Sequence, residues 1–356
     1  MASVQPKGLP FVYKGVTAVT DCKTSEEVMY KAGLNWTVSK QEIFSKSPVE
    51  GSIADKLSVI PDGVDYKLFG KDVYVKTPGG YAISREDNGV ALGIVKDRYT
   101  PVQNIEAFKF FDEAIGKNQA IWYTAGCFGF GERIFVSAKL PNNILVNGDP
   151  VDNYLVFTNS HDGTTGVKIL FTPIRLICFN MLNAAIKGAS SYISFRHTKS
   201  VHDSISTAKE ILGICDKTAY YLQQMYTEMY KTKITDRQFM DIIGQIVLSE
   251  KERNDLKAGG YSIKSVFDRD YNAISFANIS TQKIKTLGNI EYYYHGAGPG
   301  QKEIEGTGWG VYNALTGFYS NMENNEGAKR MDTLLYGDRS RKIESIGNLI
   351  LDINSI

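Results

Sequence analysis

The sequence predicts an α+β protein, with a mainly antiparallel sheet in the N-terminal and central part and a helical C-terminal half. Two patterns carry this. Up to about residue 195, apolar residues alternate or cluster in short runs separated by Gly-Gly, Asn-Gly and Asp-Gly turns, as in strands joined by hairpins. From about Val201 the apolar period shifts from two to near 3.6, the period of a helix. Composition agrees: 356 residues, 43% hydrophobic and 22% charged, describe a folded chain able to bury a large core. The expected division is a tail over 1–20, a sheet domain over 21–195 and a helical subdomain over 196–356 packed on it, with one continuous domain as the alternative.

Taken in order, Thr24-Ser-Glu-Glu27 is a helix-capping pattern ahead of Val28, Met29 and Ala32, and Gly33 is a natural stop. Trp36-Thr-Val38 reads as the start of a strand. Asp72–Val75, Tyr81–Ile83 and Val90–Val95 read as further strands, the last two joined across Asn88-Gly89. Gln103 to Ile115 places Ile105, Phe108, Phe111 and Ile115 at helical spacing. Strands are then expected at Ala120–Thr124, Arg133–Leu140, Asn153–Thr158 and Gly166–Phe171, turning at Gly126/Gly129/Gly131, Asn147–Pro150 and His161–Gly163. Pro173 precedes the apolar run Ile174–Ile186, which is expected to be a buried helix on that sheet. Ile205 to Met229 describes one long amphipathic helix, and Thr235-Asp-Arg-Gln238 caps a second carrying Phe239, Ile242, Ile243 and Ile246. Ile274–Leu287 and Trp309–Tyr319 suggest two more, around the Gly/Pro-dense loop His295–Gly300.

Several function classes are excluded or left without a signal. Forty Lys and Arg against 39 Asp and Glu give a formal charge of +1, so a broadly basic nucleic-acid coat is ruled out and any polyanion must meet a local patch. Cys22, Cys127, Cys178 and Cys215 have no CxxC spacing, which points to reduced thiols in a cytoplasm. The N-terminus lacks an apolar signal core and no run is long enough to span a bilayer, so no membrane partner is expected. Gly126–Gly131 is followed by strand residues rather than a helix N-terminus, which makes it a bent hairpin, not a phosphate loop. No Gly-x-Ser-x-Gly element is present, and Cys178 sits in an apolar run that would keep its thiol inert. No cofactor and no metal site is expected.

Three sets of residues stand out. His161 and Asp162 occupy the turn Asn159-Ser-His-Asp-Gly163, where backbone geometry alone also accounts for Asp and Gly. Arg175 and Asn180 interrupt an apolar run, so if buried they need partners; they either tie the run to backbone carbonyls or bind a phosphate or carboxylate. Arg175, Arg196, Lys199, Lys209, Lys217, Tyr220 and Tyr221 could together hold single-stranded DNA, rings stacking on bases and cations meeting phosphates. With aromatic content at 12%, core or interface packing is the competing account of the rings.

Six stretches in this order resemble a known family: Ala32–Val38; Tyr99-Thr-Pro-Val-Gln-Asn104; Thr158–Gly163; Thr172-Pro-Ile-Arg-Leu-Ile-Cys-Phe-Asn180; Arg196-His-Thr198; and Gly306-Thr-Gly-Trp-Gly–Thr316. They are similar to the phage/plasmid-like family called domain of unknown function 932. The chain departs from it at Pro10–Gly15, where the family has Pro-Trp-His-Gly, and at Phe179, where it has Gln. The resemblance implies carriage by phages, plasmids and prophages, and supplies no catalytic residues. Residues 120–187 also loosely resemble the core of phage single-strand annealing proteins.

The expectation is therefore a phage- or plasmid-encoded accessory protein of DNA replication or recombination, more a binder than an enzyme. It would bind or anneal single-stranded DNA in a bacterial cytoplasm as a homo-oligomer. The rivals are a structural or host-takeover protein contacting phage or host proteins, and an enzyme whose site joins His161, Asp162, Arg175 and Asn180.

Overall fold

The computed structural model describes residues 16–115, 120–175, 180–181, 192–198, 209–319, 346–347 and 349–350. Twelve described strands form two antiparallel sheets. The smaller is built from β2 (Val38–Lys46), β3 (Tyr66–Phe69), β4 (Asp72–Arg85) and β5 (Ala91–Val95), in the order β2-β4-β3 with β5 also on β4. The larger runs β1-β6-β7-β9-β10-β11, from β1 (Val16–Ala18) through β6 (Ile121–Phe128), β7 (Arg133–Lys139), β9 (Asp149–Ser160) and β10 (Val167–Arg175) to β11 (Asn180–Met181). In it β8 (Ile144–Val146) pairs with β9, and β12 (Tyr192–Phe195) with β10. Helices α1 (Ser25–Lys31), α2 (Ile53–Ser58) and α3 (Asn104–Ile115) belong to this half.

Local chemistry sets these elements. The Glu27 backbone N–H donates to the Thr24 hydroxyl, satisfying an orphan donor of the first turn of α1. Asn147 and Gly148 both take positive φ, 49° and 86°, the turn geometry that lets β8 and β9 pair with no intervening residues to spare. On the face of the large sheet carrying Trp122, Ala138, Leu155 and Phe157, every one of these side chains is buried, and Phe108 of α3 packs against Trp122 with ring centroids 6.4 Å apart. The opposite face holds Thr124, Ser137, Tyr154, Thr158 and Thr172, also buried, with the Thr124 and Ser137 hydroxyls 2.7 Å apart. Burial on both faces explains why Tyr154–Phe157 of β9 and Ile169–Phe171 of β10 are short unbroken apolar runs, next to buried polar residues.

The helical part comprises α4 (Lys209–Lys231), α5 (Asp236–Val247), α6 (Glu250–Ala258), α7 (Ile263–Phe267), α8 (Tyr271–Phe276), α9 (Thr281–Tyr292) and α10 (Gly308–Gly317). Thr235 and Gln238 close the capping box read from the sequence: the Gln238 backbone N–H donates to Thr235 Oγ1 and the Thr235 N–H donates to Gln238 Oε1. The end of α4 and the start of α10 are stitched by backbone bonds, Ile234 N–H to Gly306 O and Gly308 N–H to Thr232 O. Tyr226 of α4 then packs between Trp309 and Tyr312 of α10, at 4.8 and 5.8 Å. None of the described helices is long and apolar enough to cross a membrane.

Three expectations are corrected. Ile174 and Arg175 do not begin a helix; they end β10, and Asn180–Met181 form the next strand. Hydrophobicity alone cannot separate a strand buried on both faces from a buried helix. The strands expected at Asp72–Val75 and Tyr81–Ile83 are one strand of 14 residues that runs through Thr77-Pro-Gly-Gly80, accommodated by a register shift opposite, between Glu42 and Phe44. The helix expected over Ile274–Leu287 is broken, because Asn278 takes φ 51° and Ser280 caps a fresh start. The start of the long helix before residue 209, Gly116 and Cys178 lie outside the described residues.

Candidate functional site

The turn after β9 carries His161 into the junction between the two sheets. Its backbone N–H donates to Glu132 O at 2.7 Å, and its ring is fully buried beside Trp36, centroids 5.3 Å apart. Asn104, the first residue of α3, donates through Nδ2 to the carbonyls of Leu34 (2.9 Å) and Trp36 (3.3 Å), which turns its Oδ1 toward His161 Nε2 at 2.9 Å. That network assigns the proton to Nε2, and Nδ1, the bare nitrogen, has no hydrogen-bond partner among the described residues. His197 repeats the arrangement. Its Nδ1 donates to Thr100 O at 3.2 Å, its ring stacks on Tyr99 at 4.5 Å, and its Nε2 is bare, with no hydrogen-bond partner among the described residues.

Both rings are held neutral. Burial, then the neighbouring His197 and Arg85, bring His161 down to about 3 against the opposing pull of Asp162. Burial also brings His197 down to about 4, opposed by the Thr100 carbonyl and Asp162. For Asp162 burial pushes upward, yet the hydrogen bonds from Ser160 and Thr164 and the Arg133 charge outweigh it, so its carboxyl lies below its ordinary value. Burial raises the Tyr99 phenol, which donates to Ser160 O at 2.7 Å. The centre thus offers two enclosed imidazole lone pairs and a carboxylate already engaged. Among the described residues no group of three or more His, Cys, Asp or Glu is placed to hold a metal ion.

Arg175 and Asn180 lie elsewhere. The register from Lys168↔Thr158 to Arg175↔Val151 carries them along the strand pair, a span of about 23 Å at roughly 3.3 Å per residue. His161 and Asp162 therefore do not converge with Arg175 and Asn180 on one ligand. Arg175 and Asn180 are instead cross-strand neighbours. Arg175 is 1% exposed; its Nε lies 2.5 Å from Asp149 Oδ2 and its Nη2 donates to Gly300 O at 2.9 Å. The Trp309 indole donates to the same Asp149 oxygen at 2.9 Å. A phosphate contact needs its guanidinium in solvent, so Arg175 leaves the set of nucleic-acid contacts and becomes the tie between sheet and helices.

Of the remaining set, Lys217, Tyr220 and Tyr221 come together. All three are exposed on α4, the tyrosines at 62% and 53%, with their rings in edge contact at 6.0 Å. Positions i, i+3 and i+4 share one helix face. Arg196 is exposed just past β12, Lys199 lies outside the described residues, and Lys209 starts the described part of α4 without a described side chain. Tyr226 is buried, and Tyr230 accepts from Asn147 Nδ2 at 2.7 Å, so these rings belong to packing.

Sequence reasoning missed that Trp36, Tyr99, Asn104, His161 and His197 meet. The signal was present: they sit in four of the six stretches that carry the family resemblance, and the other two supply Arg175 and Trp309. The fold and this centre define an α+β protein in which two antiparallel sheets close over a pair of neutral, buried imidazoles. The profile of DUF932, a domain of unknown function, matches residues 91–345, and the chain belongs to that family. No curated protein and no solved structure matches this chain.

Proposed function

We propose that the chain is a non-enzymatic accessory protein of phage or plasmid DNA metabolism that binds single-stranded DNA along the solvent face of α4. The observation that carries this is the exposure of Lys217, Tyr220 and Tyr221 on one helix face. Large rings held in solvent on a regular helix are available to stack on bases whatever their identity, and a lysine one turn away can meet a phosphate. The test is anisotropy of a labelled single-stranded oligonucleotide titrated at low salt. Binding is expected, and Tyr220→Ala with Tyr221→Ala should weaken it by about 1–3 kcal/mol per lost stack. Absence of binding by the wild-type chain at low salt removes the proposal.

A second reading rests on β3. Tyr66, Leu68 and Phe69 are exposed, Phe69 at 78%, on a strand whose only described neighbour is β4. An apolar strand edge of this kind suits a protein partner or a second copy of the chain, which would pair with its free backbone groups. A defined stoichiometric protein complex lacking nucleic acid, disrupted by Leu68→Lys, supports that reading over DNA.

A further inference from the structure

The two sheets are held together around the imidazoles. Gln103 exchanges hydrogen bonds with the Val38 backbone, donating to Val38 O at 2.8 Å and accepting from Val38 N at 3.0 Å. Trp36 covers His161, and Tyr99 bridges from His197 to Ser160. Gly93 of β5 lies so close to the turn that a Cβ there would fall 2.5 Å from Asp162 Cα. Each imidazole already uses its one N–H, toward Asn104 and toward the Thr100 carbonyl. A second proton would create an N–H with no acceptor among the described residues, inside a desolvated junction.

The charged neighbours do not relieve this. From β4, Arg85 lies over the Trp36 ring at 4.3 Å and is itself paired with Asp87. From β7, Arg133 is 3.4 Å from Asp162 Oδ2. The Asp162 Oδ1 accepts from Ser160 Oγ, Thr164 N and Thr164 Oγ1. Glu132 meets His161 only through its backbone carbonyl, since its carboxylate accepts from the Phe130 N–H at 2.6 Å. Tyr99 stays a neutral phenol.

We propose that His161 and His197 form an acid-sensitive latch, whose protonation releases the small N-terminal sheet from the central sheet while the central sheet stays folded. The sign follows from which state binds protons. In the closed junction both rings are neutral down to about 3 and about 4; once opened to water each returns to an ordinary value near 6.5. Closure is therefore complete above roughly pH 6.5 and is lost as pH falls toward the closed-state values. Between pH 7.5 and 5 each histidine multiplies the opening constant about 30-fold, and the two together give a rise of up to about a hundredfold per pH unit.

Hydrogen exchange of the full chain, read strand by strand and corrected for intrinsic rates, tests this at pH 7.5 and 5. The latch predicts that β2 and β5 lose at least tenfold in protection relative to β7 and β9, and that His161→Gln and His197→Gln each reduce the acid response. Loss of protection in all four strands together, or an unchanged response in a folded variant, overturns it. Should a variant fail to fold, the imidazole nitrogen resonances of the wild-type chain decide. Two rings neutral at pH 7.5 that charge in step with β2 exchange support the latch; charging while β2 stays protected sinks it.

Discussion

Arg175 and Asp149 show how much one buried pair can decide. A guanidinium and a carboxylate removed from water are tolerated because each satisfies the other and because Gly300 O and the Trp309 indole take further hydrogen-bonding capacity. Removing one partner leaves an uncompensated buried charge. Arg175→Met should therefore destabilise the chain by about 3–5 kcal/mol, and a combined Arg175→Met, Asp149→Leu variant should recover part of it. Urea unfolding midpoints measure both; a single variant with wild-type stability would mean the pair does not tie helices to sheet. Arg175 was visible in the sequence as an anomaly, but its partner was not. Asp149 sits 26 residues away in what reads as an ordinary turn, and nothing local distinguishes it from a solvated carboxylate.

At the level of elements, packing constraints written as glycine separate structural motif residues from functional ones. A Cβ on Gly310 would lie 2.2 Å from Ile304 O, so α10 can dock only without one. Gly310→Ala should cost about 1–3 kcal/mol or more, read as a lowered urea midpoint, because the clash is with backbone and not with a movable side chain. Together with Thr307, whose hydroxyl accepts from the Gly310 N–H at 3.0 Å, and Trp309 on Asp149, this accounts for the Gly-Thr-Gly-Trp-Gly stretch as a docking device. The face of α4 carries the opposite signature. Tyr220→Ala and Tyr221→Ala should leave the unfolding free energy within about 0.5 kcal/mol, since the rings contribute little to the core, while single-stranded DNA affinity falls. The caps at Thr24 and Thr235 and the turns at Asn88-Gly89 and Asn147-Gly148 were legible because they depend on residues a few positions apart. The strand at Ile174 was not, since burial on both faces erases the period that tells strand from helix.

The molecule as a whole is nearly neutral, and its surface expresses this locally. Lys46 pairs with Asp72, Lys76 with Glu42 and Asp65, Lys231 with Glu228, Lys264 with Asp268 and Lys283 with Glu252. Such pairs add little stability, and at a formal charge of +1 the chain has no general excess of cations to displace counterions from a nucleic acid. Binding along α4 should therefore depend weakly on salt. For about one to three phosphates, the plot of log K against log salt should have a slope no steeper than about −2. A steeper slope, measured by anisotropy from 50 to 300 mM salt, would mean that a larger basic surface takes part.

By itself the sequence determined what depends on neighbours along the chain: the alternation of the sheets, the helical period of the second half, the caps and turns, and the family. Tertiary structure alone decided which separated residues meet. It brought Trp36, Tyr99, Asn104, His161 and His197 into one junction, and it sent Arg175 and Asn180 about a strand's length away from them. The physical reason is that burial and proton affinity belong to an environment made by distant segments. A histidine read in sequence carries its ordinary basicity, and only the closing of two sheets over it takes that away.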